Sequence, residues 1–273
     1  MRPCRMKLSK NCSSSLLTLL ALRERAARDQ RQLFYAEGVR ALIEAAASSF
    51  PLEALFYCPS LLPSEFIRRF IRCQRKRGVP CSQLTPAEYR QISRCEEPQG
   101  ILAVMQQQWT KLPDVTADAI ATGAWLALDE IRAPGNLGTI IRSAEAFGAC
   151  GLILLDNKVD PFDPGCVRAS MGALFHVPLV RTSLAELLAW KTKHNCQLIG
   201  TSPQGTTSHF DFPFEPRSIL WMGSERKGLL PQQQSLCDGI VKIPMCGRSD
   251  SLNVAIASGI CLAEVFRQRH KSQ

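Results

Sequence analysis

Short apolar runs alternate with helically spaced stretches from Leu33 onward. Leu33–Ala36 predicts a strand and Glu37–Ala47 a helix. Ala54–Tyr57 predicts a strand, Ser64–Arg75 a helix, Val79–Leu84 a strand, and Pro86–Ile92 a helix entered through Thr85 as N-cap. Gly100–Met105 predicts a last strand, and ahead of them all Leu16–Gln30 has the pattern of one charged amphipathic helix. These elements describe a small α/β layer domain. From Gln106 to Thr122 the chain turns polar, and the organisation expected is a first domain over 15–108, a linker over 109–122 and a second domain over 123–268.

The second domain repeats the alternation with cleaner strands: Trp125–Leu128, Leu152–Leu155, Val177–Val180, Leu198–Thr201, Ile219–Met222 and Ile240–Ile243. Strands apolar on both faces and separated by helices predict a mostly parallel sheet covered on both sides. Val254–Phe266 is apolar nearly all round, which predicts a deeply buried helix.

Composition narrows the class. The 273 residues are 45% hydrophobic and 21% charged, which excludes a disordered or collagen-like chain. No apolar run reaches the 18 residues of a membrane span. The 12 cysteines include no Cys-x-x-Cys pair and no accompanying histidine cluster, so free thiols in a reducing cytoplasm are expected and a metal site is not. The net charge of +9 is uneven: residues 1–111 hold 18 Lys/Arg against 9 Asp/Glu, and residues 112–273 hold 15 of each. Such asymmetry points to an anionic partner for the first half, a nucleic acid or an anionic membrane surface. Met1–Cys12 is basic and lacks acids, but the helix that follows leaves little room for a presequence.

Three loops directly follow predicted strands, where open α/β sheets bind ligands. The first is Asp129–Gly138, whose Pro134, Gly135 and Gly138 permit close backbone approach; Asn136 reads as a possible helix cap and Arg142 as a possible partner of Glu145. The second is Met222–Leu229, with Gly223 and Glu225. The third is Ile243–Asn253, with Asp250 or Ser251 as cap and Asn253 in the first helical turn. Singly, each is an ordinary turn.

Their joint order resembles the three motifs of the SpoU family of RNA ribose 2′-O-methyltransferases: Asn136-x-Gly138-x-x-x-Arg142-x-x-Glu145, then Gly223-x-Glu225-x-x-Gly228, then Ile243-Pro244-Met245 with Ser251-Leu252-Asn253-Val254. Arg168–Phe175, Leu33–Gly38 and Gln99–Val104 are also similar to that family. The resemblance implies a deep trefoil knot in the C-terminal domain, S-adenosylmethionine as cofactor, a homodimer, and a ribosomal-RNA substrate bound through the N-terminal domain. It carries cofactor contacts onto Gly223, Ile243 and Leu252, and chemistry onto Asn136, Arg142, Glu225, Ser251 and Asn253. A guanidinium stays protonated, so Arg142 is expected to stabilise a developing alkoxide rather than act as base. In the basic half, Arg68, Arg72 and Arg75 would share one helical face as RNA contacts, with Phe66, Ile67, Phe70 and Ile71 for packing. A transfer-RNA methyltransferase and a catalytically silent RNA-binding protein are the alternatives. A nicotinamide enzyme fits poorly, because no G-x-G-x-x-G follows an early strand.

Overall fold

The computed structural model describes residues 12–112, 115, 123–155 and 158–270, the side chains of 12–15 excepted. The basic stretch 1–11 and most of the expected linker lie outside the described residues. The chain divides into two compact units, one ending at Gln107 and including Phe162–Arg168, the other holding Gln108–Pro161 and Ala169 onward.

In the first unit, α1 (Cys12–Ala21) and α2 (Arg25–Arg31) precede β1 (Leu33–Glu37), α3 (Val39–Ala47), β2 (Leu52–Tyr57), α4 (Glu65–Lys76), β3 (Cys81–Gln83), α5 (Pro86–Ile92) and β4 (Ile101–Gln106). The sheet runs β1-β4-β2-β3, antiparallel except for the β2–β3 pair. The helix expected over Leu16–Gln30 is broken at Leu22–Glu24. Buried Arg28 explains the break: its guanidinium donates to the carbonyls of Leu22 (2.9 Å) and Arg23 (2.8 Å), satisfying backbone that a continuous helix would have used, and it pairs with Asp163 at 3.5 Å. α5 has the expected bounds, held by a capping box between Thr85 and Glu88. α4 turns Ile67 and Ile71 inward but leaves Phe66 58% exposed, contrary to its expected packing role. Phe162 packs its ring 4.8 Å from Phe34, and Arg168 donates to the Arg94 carbonyl at 2.9 Å.

In the second unit, β5 (Trp125–Leu128), α6 (Pro134–Ala146), β6 (Gly151–Leu154), β7 (Leu179–Arg181), α8 (Leu184–His194), β8 (Gln197–Thr201), β9 (Thr207–Ser208), β10 (Ser218–Met222), α9 (Pro231–Gln234), β11 (Gly239–Lys242) and α10 (Val254–His270) build a seven-stranded parallel sheet. α7 (Pro164–Ala169) lies between β6 and β7 in the chain, mostly within the stretch assigned to the first unit. Trp125, Trp221, Leu198, Ile219 and Ile153 fill the core. The strand order is β7-β6-β5-β10-β8-β11-β9, so β10 lies between two strands made before it. α10 packs on α6 but is not buried all round: Ile256 is 53% and Phe266 40% exposed.

Candidate active site

A cavity of about 350 Å³ opens beside the carboxyl ends of β8, β10 and β11, entirely within the second unit. Four stretches line it: Asn136 of α6, Thr201–Gln204 after β8, Met222–Leu229 after β10, and a set running from Val241 through Asp250–Val254 into α10. Its volume falls in the usual range for a small-molecule site.

The loops are tied to one another by side chains. The Glu225 carboxylate accepts from Asn136 Nδ2 at 2.5 Å and from the Arg132 main-chain N–H at 3.3 Å. Asn136 Oδ1 accepts from Asn253 Nδ2 at 3.1 Å. Asn253 Oδ1 accepts the N–H groups of Ala255 (2.9 Å) and Ile256 (3.4 Å). One carboxylate and two amides thus run from the first loop through the second to the start of α10. Two sequence expectations change here. Ala133 is the N-cap of α6, because Pro134 fits the first helical position, and Asn136 sits one turn in with its amide free to reach across. Asn253 itself caps α10, so neither Asp250 nor Ser251 is needed for that.

The second loop folds on itself. Ser224 and Gly228 exchange backbone hydrogen bonds (3.1 and 2.9 Å), and Lys227 N–H donates to Ser224 Oγ at 3.0 Å. A Cβ on Gly223 would meet the Gly228 carbonyl carbon at 2.2 Å, so only glycine permits this closure. Beyond the cavity rim, the Lys158 ammonium pairs with Glu130 and holds its carboxyl below the usual carboxylate range.

Gly223, Ile243, Leu252, Asn136, Glu225, Ser251 and Asn253 therefore border one cavity. Arg142 does not line it. Its side chain is exposed on α6 and, among the described residues, makes no hydrogen bond or ion pair, including none to Glu145. In the first unit Arg68, Arg72 and Arg75 are exposed on α4. Arg72 contacts Glu65 at 2.5 Å, Arg68 stands 4.0 Å from the same carboxylate, and Arg75 donates to Tyr57 Oη at 2.9 Å. The Arg72 hydrogen bond holds the Glu65 carboxyl below its ordinary pKa.

Sequence reasoning missed Thr201–Gln204. The signal was present, since Ser202-Pro203-Gln204-Gly205 is another turn directly after a strand, but no distinctive residue order flagged it. Thr201 Oγ1 donates to the Trp221 carbonyl at 3.2 Å, fastening this loop's root to β10. The cavity offers Met222, Leu229, Val241 and Ile243 as apolar surface, with Thr201, Ser202 and main-chain groups as polar contacts. Such a mixture suits a nucleoside joined to a thioether chain. Among the described residues no group of three His, Cys, Asp or Glu gathers as a metal centre would require.

Residues 123–263 match the SpoU rRNA Methylase family, and residues 16–103 match the MRM3-like substrate binding domain. The chain is 34% identical over 242 residues to the 23S rRNA (uridine(2479)-2′-O)-methyltransferase of Streptomyces viridochromogenes, covering 86% of this chain and 83% of that protein. It is 33% identical over 201 residues to the 23S rRNA (guanosine-2′-O-)-methyltransferase of Vibrio vulnificus, covering 72% and 81%. The AdoMet-bound rRNA methyltransferase of Sinorhizobium meliloti superposes with a TM-score of 0.84 at 30% identity, over 93% of this chain and 94% of that one.

Proposed function

This chain belongs to the SpoU rRNA methylase family, and from that membership and the interlocked loops we propose that it methylates a ribose 2′-hydroxyl of 23S ribosomal RNA with S-adenosylmethionine as donor. The observation that carries the reading is the Arg132–Glu225–Asn136–Asn253 chain, which gathers all three motif loops around one cavity. The two 23S relatives act on uridine and on guanosine, so the target base does not transfer to this protein.

The residues present fit the cofactor. The apolar surface of Met222, Leu229, Val241 and Ile243 suits an adenine and a thioether, with Gly223, Ile243 and Leu252 as contacts. Bound there, S-adenosylmethionine supplies a methyl group on a cationic sulfur, already activated for displacement. The protein's tasks are then alignment and charge control. Positioning is worth ~7–11 kcal/mol in favourable systems. Asn136, Ser251 and Asn253 position the ribose, and Glu225 holds the loops that carry them. Arg142 stabilises negative charge developing on the 2′-oxygen, since its guanidinium cannot accept the proton. The proton leaves to water or to a phosphate oxygen.

Arg142 is exposed on α6, and α10, which packs on α6, leaves Ile256 and Phe266 exposed. This supports a homodimer in which a second copy covers those side chains and each Arg142 serves the other copy's cavity. Residues 15–108 form the RNA substrate-binding part, with Arg68, Arg72 and Arg75 as phosphate contacts, and 123–268 the catalytic part. The ten cysteines whose side chains are described, all free thiols, support a location in the reducing cytoplasm. Among the described residues no helix is long and apolar enough to cross a membrane. The test is methyl transfer from S-adenosylmethionine to 23S RNA in EDTA, followed by nucleoside analysis. A 2′-O-methylnucleoside is expected; a base-methylated product overturns the reading.

A further inference from the structure

The first unit contains a second, much smaller cavity, of about 50 Å³, lined by Tyr35, Glu37, Arg94, Pro164, Gly165 and Arg168. Tyr35 is 2% exposed, and its hydroxyl has no hydrogen-bond partner among the described residues. A buried hydroxyl without a partner is costly, and here it is aimed at a cavity with cationic walls. Burial also raises the pKa of this phenol, so at neutral pH it carries its proton and is a donor.

The charges around that hydroxyl are mostly positive. Arg94, Arg23, Glu37 and Arg28 all lie close enough to act on the ionisation of Tyr35, and Arg168 completes the cavity wall. Arg28 is paired with Asp163, and Arg23 donates to the Gln91 carbonyl. Glu37 is already occupied, its Oε1 accepting from Ser93 Oγ at 2.5 Å and Tyr89 Oη at 3.3 Å. Arg168 commits Nη1 to the Arg94 carbonyl at 2.9 Å. The Arg94 guanidinium has no hydrogen-bond partner among the described residues, and both arginines are exposed at the rim. Four guanidinium groups face two carboxylates, and the unpartnered groups are all donors.

We propose that this cavity seats a single phosphate group, with Tyr35 Oη donating from the floor and Arg94 and Arg168 closing over it. The volume holds roughly three to five water-sized spheres, room for the four oxygens of a phosphate but for no base or sugar. The seat is therefore blind to sequence. Guanidinium forks suit a tetrahedral oxyanion, and charge-assisted bonds of this kind are the strong ones. The phosphate comes either from the RNA backbone or from the free ion. The RNA source rests on the reading of the first unit as the RNA-holding part; the seat itself does not.

The test uses the full chain with two probes, inorganic phosphate and a 23S RNA fragment, and two variants, Tyr35→Phe and Arg168→Gln. Tyr35→Phe removes one oxygen and keeps the buried ring. Its thermal midpoint should stay level or rise, because an unpaired buried hydroxyl is lost, while affinity for the seated probe falls about tenfold, as for loss of a hydrogen bond to a charged group. Arg168→Gln should lower affinity at least as much. If the phosphate is RNA's, the log–log salt slope for RNA also flattens by about 0.7–0.9 in that variant. Weakened RNA binding assigns the seat to the backbone; weakened phosphate binding with RNA unchanged assigns it to the free ion. Wild-type affinity for both probes in both variants overturns the proposal. A parallel Arg68/Arg72/Arg75→Ala variant that also leaves RNA affinity unchanged would instead count against the RNA-holding reading.

Discussion

The two units use polar residues in opposite ways. The first displays its charge: α4 carries Arg68, Arg69, Arg72, Arg75 and Lys76 on an exposed surface, partly offset by Glu65. The second half of the chain has no net charge, yet it builds the cavity of about 350 Å³ and links three loops through one carboxylate and two neutral amides. Charge excess marks where a polyanion is drawn in, because Coulombic attraction needs no geometry. Chemistry is marked by directional bonds that fix groups to within a few tenths of an ångström. Arg142 belongs to neither pattern, being a cation of the neutral half with no partner of its own among the described residues.

That exception gives the sharpest test of the comparison. Arg142→Ala should lower single-turnover methyl transfer by about 10²–10³-fold while calorimetry shows unchanged S-adenosylmethionine affinity. Arg142→Lys should restore little, lacking the planar fork. Near-normal turnover would mean that the neutral half performs its chemistry without a cation. Next in size is Asn136→Ala, which removes a hydrogen bond to each of Glu225 and Asn253. A bond to a charged group is worth about 1.5–3 kcal/mol, so a loss of roughly one to two orders of magnitude in kcat/KM is expected. Unaltered kinetics would show the amide chain to be incidental.

For the basic half, Arg68/Arg72/Arg75→Ala should flatten the salt dependence of RNA binding by about two units of slope, at about 0.7–0.9 per phosphate contact. Filter binding at several salt concentrations reads this, and an unchanged slope would place the electrostatic contact elsewhere. The smallest effect compares like with like, since each unit contains a capping box, Thr85/Glu88 and Ser183/Glu186. Thr85→Ala and Ser183→Ala should each cost about 1 kcal/mol in denaturant unfolding. Backbone hydrogen bonds hold both Glu88 and Glu186 below the ordinary carboxylate pKa. Their contribution is complete above the unfolded-state value of 4.5 and is lost as pH falls through the lower folded-state values.

Local signals in the sequence were read where local physics decided the outcome. Thr85 before Pro86 set the start of α5, and Trp125–Leu128 formed a strand with the expected bounds because it is apolar on both faces. Readings failed where a distant partner decided. Arg28, paired with Asp163 135 positions later, breaks the first helix by collecting carbonyls that no periodicity reveals. Asn253 replaced Asp250 and Ser251 as cap, while its other amide atom reaches Asn136, 117 positions earlier. The apolar circumference of α10 suggested complete burial, but apolarity does not say whether the covering surface comes from the same molecule. The motif residues around the cavity were legible as an ordered set, whereas Thr201–Gln204 entered it through the placement of β8 beside β10 and β11.

The double use of Asn253 has a consequence for how the protein is made. Its side chain both starts α10 and closes the amide chain to Asn136. Translation delivers Asn136 and Glu225 first, so a growing polypeptide on the ribosome already holds two of the three loops. The third contact cannot form until enough of α10 has emerged to give Asn253 a helix to cap. A chain that ends before α10 therefore lacks the contact that joins the third loop to the other two, and the amide chain closes only with that late helix.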